Sequence, residues 1–283
     1  MSTLPTPKSE LPGLNIMLMG PGGTGKTYSL HTLVEAGLEV FVLFTEAGRE
    51  SLLGYWTDAG KPVPSNLHWC DIRAQSLGFG ELADAANDLL NLPPELLFKK
   101  PDTHKSKYTA FVDTLRALAN FPDARTGQKF GPVDSWGTGR VLVIDSLTGI
   151  SQFAMQNVTG GKVVRDQSDW GKAQGLLEFF LRKCTDGTRC HFILLAHVER
   201  EVDQVQGGVK LMPSTLGKAL PPKLSPMFSE VVLTERVAEK WQWSTISTQA
   251  DTKSRYLGTG TYPQDFRPIL EKWKARGGVI ESQ

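Results

Sequence analysis

The stretch Gly20-Pro21-Gly22-Gly23-Thr24-Gly25-Lys26-Thr27, continued by Tyr28, has the spacing G-x-x-x-x-G-K-T. Glycines at these positions let the backbone curl until successive N–H groups point inward, which makes a nest for an anion. An apolar run, Leu14 to Met19, precedes it, and a helix-period segment, Gly25 to Gly37, follows. The nest is therefore expected at a helix N-terminus, whose partial positive charge favours phosphate. Lys26 would reach the β- and γ-phosphates of ATP, and Thr27 would hold Mg²⁺ through its hydroxyl. Asp145 ends the run Val-Leu-Val-Ile-Asp. A carboxylate at the C-terminal end of a buried strand lies where open α/β sheets bind ligands. Alone it would serve equally as a turn cap with Ser146; beside a phosphate loop it reads as the second Mg²⁺ anchor.

Two further strand ends carry groups that could act on a γ-phosphate. Many motor ATPases follow the metal-binding Asp with a Glu that activates water, but residue 146 is Ser. The base must then come from elsewhere, and Glu46 is the candidate. It ends the apolar run Leu38 to Phe44 plus Thr45, on a strand expected beside the one that delivers the phosphate loop. A carboxylate there would polarise a water, although an acid at that point also suits the first turn of the helix that follows. His197 ends Phe192 to Ala196; its imidazole would report loss of the γ-phosphate, or simply be a satisfied structural histidine.

These residues need a scaffold that gathers strand ends along one edge. Apolar runs alternate with helix-period segments, which is the pattern of a mostly parallel sheet covered by helices. Strands are expected at 14–20, 38–46, 66–72, 140–145 and 190–198, with helices at 25–37, 78–92, 109–121 and 170–184. After about residue 199 the alternation becomes strand-like in Gly208–Pro213, Ser229–Val237 and Glu239–Thr248, which suggests an antiparallel extension. Trp241 and Trp243 alternate with Gln242, so they share a face and are expected in the core. The expected organisation is a leader at 1–13 and one α/β domain at 14–283, with a core to 198 and the strand extension beyond it.

Composition excludes several classes. Of 283 residues, 31 are Lys or Arg and 30 are Asp or Glu, so the formal charge is +1 and no global field draws the chain to a polyanion. Cys70, Cys184 and Cys190 are scattered without a CxxC pair, which suggests a reducing compartment and small packing residues. The leader Met1 to Gly13 has no apolar signal core, and no apolar run approaches a membrane span. No membrane association and a cytoplasmic location are expected.

The order of phosphate loop, strand ending in Glu46, strand ending in Asp145-Ser146, and strand ending in His197 resembles the RecA-like ATPase superfamily. Lys253-Ser254-Arg255-Tyr256 resembles the Lys-x-Arg finger of RecA-like hexameric helicases and branch-migration ATPases, although by composition it is also a plain basic turn. The resemblance implies a RecA-like fold, ATP and Mg²⁺ as ligands, and a homo-oligomer, ring or filament. In it Lys253 and Arg255 would enter the neighbouring subunit's site and offset transition-state charge. The leader before Leu14 has no counterpart of the arm by which RecA recombinases polymerise. Within the superfamily the chain is most similar to short single-core phage ATPases, including single-strand annealing proteins of phage recombination. The residues that carry this are GPGGTGKT, TEAG, VLVIDSLT, DWGKAQGLLEFF and LLAHVERE, then LMPSTLGKALPPKLSPMFSEVV. It implies single-stranded DNA as partner, with a single-strand binding protein as a further one, in the cytoplasm of a bacterial host.

In RecA-like folds two loops face the channel or filament axis. Here they would be residues 156–169, with Lys162 and Arg165, and residues 199–213, with Arg200, Lys210 and Gly207-Gly208. These cations would neutralise phosphates and the glycines would allow ordering on binding; solvated loops are the plain alternative. A third basic run, Lys99 to Lys107, ranks below them. Three rival functions stay open: a helicase or branch-migration motor, a small-molecule kinase with the same loop, and an ATP-gated loader or scaffold.

Overall fold

The computed structural model describes residues 11–74, 78–91, 107–160, 165–202 and 207–281. Lys162, most of the basic run at 99–107 and nearly all of the leader lie outside them.

Among the described residues ten strands and eight α-helices follow one another: β1 Asn15–Met19, α1 His31–Glu35, β2 Glu39–Phe44, α2 Arg49–Thr57, β3 Leu67–Asp71, α3 Phe79–Asn91, α4 Ala110–Ala119, β4 Arg140–Asp145, α5 Leu147–Thr159, α6 Gln167–Asp186, β5 His191–Ala196, β6 Val198–Val202, β7 Val209–Pro213, α7 Pro221–Leu224, β8 Glu230–Val237, β9 Lys240–Ser244, β10 Thr261–Pro263 and α8 Arg267–Ala275. Eight strands form one sheet in the order β10-β9-β8-β1-β5-β4-β2-β3. The six from β8 to β3 are parallel, and β9 and β10 continue the sheet antiparallel. The fold is the expected α/β architecture, a mostly parallel sheet flanked by helices with antiparallel C-terminal strands.

The period of two along each strand builds both cores. In β1, Met17 and Met19 face one layer, where α4, α5 and α6 contribute Phe111, Ile150, Phe153, Leu177 and Leu181. Ile16 and Leu18 face the other, with Leu33 of α1, Leu52 of α2 and Ile269, Leu270 and Trp273 of α8. Both faces of β4 and β5 are covered, so their apolar runs are nearly unbroken. Helix α6 starts with a reciprocal cap: Asp166 accepts from the Asp169 amide and Asp169 accepts from the Asp166 amide.

Four expectations are corrected. Glu46 is not on a strand beside β1, because β5 and β4 stand between β1 and β2. The segment Ser229–Val237 is antiparallel on one edge only: β8 pairs antiparallel with β9 but parallel with β1, so it also belongs to the parallel block. β7 leaves the main sheet and forms a separate hairpin with β6. The helix expected at 25–37 is a 3₁₀ turn, Tyr28–Leu30, and then the five residues of α1. Ser29 and Thr32 explain the tight start, since each hydroxyl donates to a carbonyl three residues back.

Candidate nucleotide site

The C-terminal ends of β1, β5, β4 and β2 open on a cleft of about 720 Å³. Gly22 to Tyr28, Glu46, Gly48, Asp145, His197 and Trp241 are among its lining residues.

The phosphate loop turns through positive φ at Gly23 (71°) and Gly25 (82°), a region that suits glycine. Gly20 is required by proximity instead: a Cβ there would lie 2.2 Å from Thr234 Oγ1 on β8. Lys26 is buried, and its ammonium donates to Gly20 O and Pro21 O at 2.7 Å each. Burial lowers its pKa to about 8, against the pull of Asp145 and Glu46. The Thr27 hydroxyl donates to Asp145 Oδ2 at 2.7 Å. Burial raises the Asp145 carboxyl to about 6, opposed by the Thr27 bond.

A hydroxyl and a carboxylate in contact, beside a lysine in a phosphate-type loop, are the hard oxygen donors that Mg²⁺ takes. Among the described residues no three His, Cys, Asp or Glu side chains form a metal cage. The pair therefore fits an ion that draws its remaining ligands from phosphate and water.

Glu46 reaches the cleft although two strands separate β2 from β1. Its Oε1 accepts from His197 Nε2 at 2.9 Å and from the Ser146 hydroxyl. Among the described residues Oε2 makes no hydrogen bond, which leaves it open to water. The His197 bond holds the Glu46 carboxyl below the usual range; burial opposes this and Ser146 adds to it. Glu46 is not the first-turn acid of α2, a place taken by Glu50. The ends of β2 and β4 are tied together by Thr45, whose hydroxyl donates to Ser146 O at 3.1 Å and accepts from Ser146 N at 2.8 Å. The Asp145–Ser146 peptide bond is cis.

Trp241 corrects another expectation. It shares a face with Trp243, but only Trp243 is in the core, packed edge-on against Phe266. Trp241 is 42% exposed and lies 5.2 Å from the Tyr28 ring. Tyr28 also meets His31 and Tyr55, which stack on each other at 3.8 Å. Beyond Tyr28 and Trp241 lies a second recess of about 500 Å³, which Tyr262, Gln242 and Gln264 also line. Flat aromatic walls next to a phosphate loop suit a nucleobase. The sequence signal for this was the Trp-Gln-Trp alternation, which shows a shared face but not where the sheet's cover stops.

Several other residues stand apart. Neither Lys253 nor Arg255 lines the cleft of its own chain. Lys253 Nζ donates to Ser225 O at 3.3 Å, burial lowers its pKa, and Arg255 is exposed. The loop between them is held by buried Glu230, which accepts from the Arg255 amide (2.6 Å), the Tyr256 amide (2.8 Å) and the Ser254 hydroxyl (2.6 Å). Arg165 lies over the Trp170 ring at 5.9 Å. Arg200 is exposed on β6, while Lys210 of β7 pairs with Asp251 at 3.1 Å.

The AAA domain family matches residues 13–261. The chain belongs to the AAA domain family. That match spans the phosphate loop, Glu46, Asp145, His197 and the Lys253–Arg255 loop, and it places this AAA domain protein in the P-loop ATPase superfamily. No curated protein matches it. Among solved structures it is similar to one described as a prototypical ATPase from the type III secretion system of pathogenic bacteria. The identity is 14% and the TM-score 0.36, over 80% of this chain and 52% of the other. The AAA domain protein thus spans about half the length of that structure. No helix among its described residues is long and apolar enough to cross a membrane.

Proposed function

We propose that this protein hydrolyses ATP with Mg²⁺ and acts on single-stranded DNA in phage-type recombination or strand annealing. Copies assemble as a ring or filament, and Lys253 and Arg255 of one complete the site of the next. One observation carries the catalytic part: Glu46 Oε1 is held by His197 and Ser146 in the same cleft as Lys26, Thr27 and Asp145. Glu46 is ionised at neutral pH and its second oxygen is free to orient water. His197 immediately precedes β6. Release of its bond to Glu46 when the γ-phosphate leaves would pass to the β6–β7 hairpin, so that ATP acts as a conformational switch and hydrolysis resets it.

The DNA part rests on the resemblance and on two exposed cations, Arg165 just before α6 and Arg200 on β6. The hairpin itself favours a second reading, an ATP-gated loader or scaffold for another protein. Glu199 and Glu201 flank Arg200, and Lys210 already has an acidic partner, so among its described residues the hairpin has no basic face.

Turnover and single-stranded DNA binding in the same preparations separate the readings. DNA-stimulated ATPase with strand annealing by Lys26→Ala supports the annealing role. Directional unwinding identifies a motor, and phosphoryl transfer to a nucleoside without any DNA effect identifies a kinase. ATPase with no DNA response leaves the loader. Mixing Arg255→Ala with Lys26→Ala restores partial activity if the finger acts between copies and none if it acts within one.

A further inference from the structure

A nest that turns its N–H groups inward turns its carbonyls outward, and each outward carbonyl needs a donor. In this loop Gly20 O and Pro21 O take the Lys26 ammonium, Pro21 O also takes the Thr24 hydroxyl, and Gly25 O takes the Ser29 amide. Gly22 and Gly23 are exposed, so their carbonyls are open to water, but Thr24 is buried and its carbonyl is not satisfied from within the loop. Its donor is Gln264 Nε2 at 2.7 Å, from the segment just after β10 and 240 residues along the chain.

Gln264 is seated for this task. Nε2 also reaches Gln242 O on β9 at 3.4 Å, which ties the amide to the strand behind it. Its Oε1 is buried without a partner among the described residues. The fit is close: a Cβ on Gly25 would lie 2.4 Å from Gln264 Oε1 and 3.1 Å from the Trp241 ring. Thr234 supports the same loop from β8, its hydroxyl 2.7 Å from that of Thr24. The far end of the sheet thus forms the back wall of the phosphate loop.

We infer that Gln264 is a positioning residue for nucleotide binding: it holds Thr24 O outward and so keeps the neighbouring amides aimed at phosphate. This rests on the phosphate loop binding nucleotide, as proposed above. The role is distinct from contact with the base, although Gln264 also borders the aromatic recess. Inorganic pyrophosphate separates the two, because it has phosphates and no base.

The test is displacement of a fluorescent nucleotide by ATP and by pyrophosphate, on wild type, Gln264→Met and Gln264→Glu. Met keeps the length and removes the donor; Glu keeps the shape and turns a second acceptor toward Thr24 O. Loss of one buried hydrogen bond predicts about tenfold weaker binding of both ligands to Gln264→Met. The Glu variant should lose more, and the apo melting temperature of the Met variant should hold within about 3 °C. The inference is overturned by any one of three results: affinities within twofold of wild type, loss for ATP with pyrophosphate unchanged, or a loss matched by general unfolding in both variants. If wild type binds neither ligand, the phosphate-loop reading itself falls.

Discussion

At the C-terminal end of the parallel strands Lys26, Asp145, Glu46 and His197 share one cleft; at the N-terminal end Asp123, His68, Glu39, Arg140 and Arg125 share another polar cluster. The second cluster is saturated. Asp123 is buried and accepts from His68 Nδ1 (3.1 Å), the Arg125 amide (3.0 Å) and the Thr126 hydroxyl (2.8 Å). Burial pushes its carboxyl up, yet these three bonds hold it below the usual value. Arg140 pairs with Glu39 at 2.7 Å and lies over the Phe41 and Trp136 rings. The guanidinium of Arg125 donates to the carbonyls of Pro64 and Leu67. At the cleft, by contrast, burial pushes Lys26 and Asp145 toward neutrality, to about 8 and about 6, and among the described residues neither has an ionic partner in contact. A buried charge that is fully partnered is costly to disturb, because removing one member strands the others; a buried charge left short of partners is held ready for a ligand.

The largest expected effect is on the cleft side. Glu46→Gln should cut ATP turnover by about 10²- to 10⁴-fold while nucleotide binding persists, read by phosphate release and by equilibrium titration. Surviving turnover would remove Glu46 as the base. On the other side Asp123→Ala should cost about 3 kcal/mol of stability, because it strands His68, Thr126 and the Arg125 amide. Its turnover per folded molecule should match wild type; a selective loss of activity would break the contrast.

A pH titration sharpens it. His191, at the start of β5, is buried against Trp273 and accepts from the Leu14 amide at 2.9 Å. Burial lowers its pKa from 6.5 to about 4. The unfolded chain therefore takes up a proton below 6.5 that the folded chain refuses. The stabilisation is fully present above pH 6.5 and is lost as pH falls to about 4, by about 3 kcal/mol. Denaturant midpoints measured from pH 7 to pH 4 should show that slope, and His191→Leu should flatten it. The smallest effect on stability returns to the cleft: Lys26→Met should abolish nucleotide binding yet change apo stability by only about 1 kcal/mol, because removing a charge that burial disfavours offsets the loss of its bonds to Gly20 O and Pro21 O. A large fall in apo melting temperature would mean that Lys26 is a structural group first.

Much of this was legible in the chain. The phosphate loop, Asp145, Glu46 and His197 each sit at the end of an apolar run, and a parallel sheet gathers such ends at one edge. Strand identity follows from local apolar patterning, which needs only neighbouring residues. Neighbour order in the sheet does not: it depends on long connections whose lengths leave several arrangements open, so Glu46 was expected two strands too close to β1. Trp241 was misplaced for a related reason. Alternation fixes which face a side chain shares with Trp243, but burial depends on whether α8 and Phe266 extend far enough to cover it.

By itself the sequence determined the fold class, the glycine-rich loop and four residues that the structure brings to one cleft, Lys26, Glu46, Asp145 and His197, because each is encoded in a short window of glycines, apolar residues and a terminal polar group. Only the tertiary structure decided that Ser146 and His197 share Glu46 and that Glu230 holds the Lys253–Arg255 loop. It alone brought Gln264 to the carbonyl of Thr24. Those contacts join residues 100, 151, 25 and 240 positions apart, and no local pattern records a hydrogen bond whose two ends meet only when the sheet closes.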